Sequence, residues 1–79
     1  MKRRRYTIKD LHSEIQILMP FFKDIAASYG LKFHLSPLPK GRSGFANFKT
    51  QTIVMYIPHI NWFAWCISVF CHELAHFFG

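Results

Sequence analysis

His72-Glu73-Leu74-Ala75-His76 lies near the C-terminal end of this 79-residue sequence. On a helix, residues four apart share one face. Both imidazoles can therefore reach one cation, with zinc–nitrogen distances of about 2.0–2.1 Å. Glu73 stands one residue further on, about 100° round the helix axis. That is too far round for an equal ligand, but it suits a carboxylate that hydrogen-bonds a water held by the metal. Zinc would lower the pKa of that water toward about 7, and the carboxylate would take its proton. The hydroxide would then attack a peptide carbonyl, and the carboxylate would pass the proton to the leaving amine. The pattern thus makes His72 and His76 candidate metal ligands, Glu73 a candidate catalytic base and Zn2+ the cofactor. The competing reading is a hydrogen-bonded polar cluster, or a decayed site that kept its fold. Context favours the metal. Glu73 sits in an otherwise apolar run, where an unpaired carboxylate is costly to bury, and a metal with its water would satisfy all three side chains together.

The elements that position these residues are legible from periodicity. Thr7 to Tyr29 reads as a helix, with apolar residues at Ile8, Leu11, Ile15, Leu18, Phe22, Ile25 and Tyr29 in steps of three and four. Thr7 and Asp10 resemble a capping box, and Gly30 is placed to stop the helix in the left-handed conformation. Pro20 falls on the polar side, where it either bends the helix or divides it in two. Leu31–Ser36 alternates with period two and reads as a half-buried strand, with Leu31, Phe33 and Leu35 inward and His34 outward. Residues 37–44 (PLPKGRSG) form a loop. Phe45–Phe48 and Thr52–Ile57 are strands around a polar turn, Lys49-Thr50-Gln51. The second of these is apolar almost throughout, as a sheet-interior strand should be. Pro58 ends it, and Asn61 is a candidate N-cap. Trp62–Phe78 then reads as a helix apolar on every side, hence buried. The expectation is an α+β domain over residues 7–79: a backing helix, a small twisted three-stranded sheet and a buried C-terminal helix.

Composition sets bounds on the rest. The chain has length for one small domain, and an apolar content of 51% is far from the signature of disorder. So small a core also leaves apolar surface exposed, so a protein partner or a further segment is expected to cover it. Ten Lys and Arg against four Asp and Glu give a net charge of +6. Lys2, Arg3, Arg4 and Arg5 concentrate part of it in a basic tail, residues 1–6. Such a tail either solubilises the chain or touches phosphates and acidic surfaces, nucleic acid among them. Cys66 and Cys71 lie five apart on the last helix and point in different directions, so no disulfide between them is expected. Reduced thiols and the lack of a secretory signal point to the cytoplasm. The apolar stretch from Ile53 to Cys71 is broken by Pro58, His59 and Asn61, which argues against a membrane span.

The sequence HELAH on an apolar helix, after the strand TIVMYIP and the glycine-led stretch GFANF, resembles the zincin metallopeptidases, and among them the compact minigluzincins and SprT-like proteases. The resemblance implies a backing helix and twisted sheet ahead of the active-site helix. It implies an edge strand that binds a peptide or protein substrate in extended form. It makes His72 and His76 zinc ligands and Glu73 the base. Zincins also carry a third protein ligand downstream of the motif, and here His76 is followed only by Phe77, Phe78 and Gly79. Of the upstream candidates His12, Glu14, His34, His59 and Cys71, the thiol lies on another helix face and His59 lies more than three helical turns away, while any of them would reverse the family's order. The expectation is therefore that these residues are the N-terminal half of a longer metallopeptidase domain and hold zinc weakly alone. The alternative is a non-catalytic, zincin-shaped binding or assembly subunit of a larger complex.

Overall fold

The computed structural model describes residues 5–79; of the basic tail, Lys2, Arg3 and Arg4 lie outside them, and Arg5 is exposed. A 3-10 turn, Ile8–Asp10, leads into helix α1, Ser13–Ser28. Strands β1 (Lys32–Ser36), β2 (Gly44–Asn47) and β3 (Thr52–Tyr56) follow, then a second 3-10 turn, Ile57–His59, and helix α2, Phe63–His76. The architecture is α+β, as its sequence predicts.

The helix expected over residues 7–29 is divided, and the division is not at Pro20. Leu11 and His12 are both extended, and Pro20 lies exposed within continuous helix. The Thr7 amide donates to Asp10 Oδ2 at 2.7 Å, so the capping box closes the 3-10 turn instead of opening a long helix. The tail is tied down at Tyr6, whose amide donates to the Pro37 carbonyl. At the other end of α1, Gly30 has φ +75°. The Leu31 amide donates to the Ala26 carbonyl and the Gly30 amide to the Ala27 carbonyl, both at 2.9 Å, the Schellman pattern that satisfies the last carbonyls of a helix.

The apolar stripe of α1 is also displaced. Ile15, Met19, Phe22 and Ala26 are buried, whereas Ile8, Ile25 and Tyr29 are exposed. This helix carries apolar residues on more than one face, and packing selects the stripe that is in phase with the sheet.

The sheet has the order β1-β3-β2. β3 runs parallel to β1 and antiparallel to β2, which places the apolar strand in the middle and leaves β2 on an edge. Register aligns two rows on one face: Phe33, Ile53 and Ala46; then Leu35, Met55 and Gly44. In each row the smallest residue is on β2, Ala46 in one and Gly44, with no side chain, in the other. Both helices pack on this face. Phe22 of α1 stacks on Phe70 of α2 with centroids 4.2 Å apart, and Phe33 meets both rings edge-on.

Asn61 does not cap α2; Trp62 occupies that position, and no side chain caps it. The Asn61 side chain accepts from the His12 amide at 2.8 Å and donates to the Asp10 carbonyl at 3.3 Å, tying the start of α1 to the start of α2. The expectation of an α2 buried on every side is also corrected. Cys66, Val69, Phe70 and Glu73 are buried, while Trp65, Ser68, Cys71, His72 and His76 are exposed. A two-layer fold covers only one face of a helix, and apolar composition on the other face does not change that. Among the described residues no helix is long and apolar enough to cross a membrane.

The two cysteines are both free. Burial pushes the Cys66 thiol up from 9.0 to about 11. The folded state holds that proton more tightly than the unfolded chain, so the contribution of Cys66 to stability is full below pH about 9 and is lost as pH rises through about 11. Iodoacetamide at neutral pH is expected to modify Cys71 and spare Cys66 in the folded protein, as read by peptide mass spectrometry; equal labelling of the two would contradict the burial.

Candidate metal and peptide site

Helix α2 starts with Trp62 as its N-cap residue, and its phase sets the direction of each functional side chain. Val69 and Glu73, four apart, face β2. His72 and His76 lie one position to the side, at the open margin of the helix.

The two imidazoles converge. Their Nε2 atoms are 3.1 Å apart, with ring centroids 4.6 Å apart and planes at 89°. At this distance one ring's N–H can donate to the other's lone pair. It is also close to the ~3.3 Å that separates two nitrogens each about 2.05 Å from one tetrahedral ion. The same spacing therefore accommodates either a hydrogen bond between the rings or, with both nitrogens deprotonated, two nitrogen donors to one ion.

Glu73 is 8% exposed, and its Oε1 lies 4.0 Å from His76 Nε2. Among the described residues its carboxylate accepts no hydrogen bond. The carboxylate borders two open clefts, so it is placed to accept a hydrogen bond from whatever enters beside it.

The carboxylate fits there because of Gly44. A Cβ built on Gly44 would lie 2.7 Å from Val69 Cγ1, 3.0 Å from Glu73 Cγ and 3.2 Å from Glu73 Oε2. The absent side chain lets the edge strand lie directly against α2. On either side of this contact the surface opens into a cleft. One, of about 300 Å³, is lined by Trp65, Ser68, Val69 and His72. The other, of about 270 Å³, is lined by Phe45, Ala46, Phe48 and His76. Arg42, Gly44 and Glu73 border both. The Trp65 indole N–H donates to Ser43 Oγ and to the His59 carbonyl, each at 3.1 Å, which holds the indole as a wall and anchors the loop before β2.

Of the sequence-predicted trio, His72 and His76 are brought together and Glu73 lies 4.0 Å from His76, but the three do not by themselves form a group able to hold a metal. The other candidate ligands do not join them: among the described residues no three or more His, Cys, Asp or Glu side chains form such a group. His59 instead lies beside Trp65, its Nε2 buried without a hydrogen-bond partner among the described residues. Sequence reasoning missed Arg42, Trp65 and the contact made by Gly44. Gly44 left a signal as the residue leading GFANF, and Trp65 left one in the helical spacing that puts it on the side of Val69, His72 and His76. No family model matches this chain, and no curated protein or solved structure matches it either.

Proposed function

We propose that His72, Glu73 and His76 are the metal-binding and proton-transferring part of a zinc-dependent peptidase site. The observation that carries this reading is the convergence of two imidazole Nε2 atoms beside a buried carboxylate without hydrogen-bond donors, at the margin of a sheet edge. His72 and His76 would hold the zinc. When bound there, zinc supplies a Lewis acid that polarises a carbonyl and acidifies a water toward about pH 7. The chain's own residues do the rest. Glu73 accepts a proton from the attacking water and returns it to the leaving amine. Gly44 keeps that carboxylate at the sheet margin. β2 offers unpaired edge amides and carbonyls to an extended peptide backbone.

Zinc binding measured by mass spectrometry tests the reading. With zinc added in excess, the wild-type protein is expected to bind it weakly, and His72→Ala and His76→Ala to lose most of that binding. A second reading, a non-catalytic subunit of a larger assembly, is favoured by a different observation. Ile17, Phe21, Ile25 and Tyr29 stand exposed at four-residue spacing along α1, and Tyr29 meets exposed Phe78 edge-on at 4.8 Å. Zinc content unchanged by His72→Ala would favour this second reading.

A further inference from the structure

The sign of the charge around the two clefts is one-sided. The protein has four acidic residues. Asp10, Glu14 and Asp24 belong to the first 3-10 turn and α1, leaving Glu73, nearly buried in the cleft floor, as the one carboxylate on the α2–β2 side. Cations instead stand at both ends of the edge strand: Lys40 and Arg42 before Gly44, and Lys49 after Asn47, all exposed. Arg42 borders both clefts. Its guanidinium carbon lies 5.4 Å from the centre of the Phe45 ring, a contact that holds it at the cleft mouth. Among the described residues no carboxylate pairs with it. A guanidinium held on a ring with its N–H groups uncommitted is a fork for a carboxylate.

We propose that this groove takes acidic peptides: an extended backbone lies along β2, and a Glu or Asp side chain of the ligand pairs with Arg42. This rests on the peptidase reading only for the direction of the backbone along the edge strand, and it deepens that reading by naming the substrate class. Peptide is favoured over nucleic acid because the groove runs beside the edge strand β2, whose outer side pairs with no further strand among the described residues and can pair with another main chain, and because the Trp65 indole is held as a wall by its hydrogen bonds to Ser43 and His59.

The test is binding, read by fluorescence anisotropy with dye-labelled alanine-based peptides in glutamate, glutamine and lysine versions, on the whole chain, with and without added zinc. The glutamate peptide is expected to bind at least about tenfold more tightly than the glutamine one. Arg42→Glu should remove that preference. Lys23→Glu, the same charge change on exposed α1, should weaken binding by less than about twofold at physiological salt. Equal affinity for the three peptides would overturn the proposal, as would an equal effect of Arg42→Glu and Lys23→Glu. Displacement of the glutamate peptide by a single-stranded oligonucleotide in an Arg42-dependent manner would reassign the groove to nucleic acid and overturn it too. The two readings fail separately. Hydrolysis of peptides without charge preference removes this inference and leaves the peptidase, whereas Arg42-dependent binding without turnover removes the peptidase and leaves this inference.

Discussion

Glu73→Gln is expected to cost peptide hydrolysis a factor of about 10²–10⁴ while leaving the zinc content unchanged. The amide has the size of the carboxylate and fits the same space beside Gly44, but it cannot accept a proton at neutral pH. The same substitution should not destabilise the fold. Glu73 accepts no hydrogen bond among the described residues and borders open clefts, so a neutral side chain of the same size breaks no contact. Stability is expected to change by less than about 1 kcal/mol. Loss of turnover joined to nearly unchanged stability marks a residue kept for chemistry. The checks are product release from a labelled peptide in the presence of zinc, and thermal unfolding of both proteins. Hydrolysis that survives in Glu73→Gln excludes the carboxylate as the base, and a large drop in stability would make Glu73 a structural residue.

The second large effect is expected at Gly44. Its φ is not in the left-handed region, so the requirement is steric and not conformational. A methyl group there would meet Val69 Cγ1 at 2.7 Å and Glu73 Cγ at 3.0 Å. Val69 is β-branched and buried, and its χ1 is restricted on a helix, so it cannot easily turn aside. Gly44→Ala should therefore push β2 away from α2 at a cost of about 2 kcal/mol. For a domain of this size that corresponds to a fall in Tm of about 8–16 °C. Val69→Ala removes the obstructing methyl groups, so the double variant should be less destabilised than the sum of the two single ones. The double-mutant cycle, measured by thermal or urea unfolding, isolates this contact. Additive effects would mean that the strand and helix do not meet as described.

How much of this was readable in advance depended on whether a signal was local or tertiary. The central strand was readable because Ile53, Val54, Met55 and Tyr56 form a continuous apolar run, and only an inner strand needs one. The helical spacing of His72, Glu73 and His76 was readable because four residues make about one turn. The stripe of α1 was read correctly at Leu11, Ile15 and Phe22 but misplaced at Ile25 and Tyr29, because steps of three and four fit Met19 and Ala26 as well. Contact of Phe22 with Phe33 and Phe70 sets which of these positions turn inward. The start of α1 was misread because Leu11 fits a helical period yet is buried from an extended backbone. The exposure of α2 followed from the number of layers, which no property of Trp65, Cys71 or His72 encodes. Asn61 had the chemistry of a cap, but its partners, Asp10 and His12, lie about fifty residues away in sequence. Arg42 lay inside PKGRSG, where composition reads only a loop; its meaning comes from Phe45, Gly44 and Glu73 around it.

Zinc K-edge X-ray absorption on the zinc-loaded protein is the most direct measurement. Outer-shell scattering from two imidazole rings is expected, with nitrogen at about 2.0–2.1 Å, and should disappear in the His72→Ala, His76→Ala double variant. A spectrum without imidazole scattering, or one that the double variant leaves unchanged, would contradict a zinc site at these histidines.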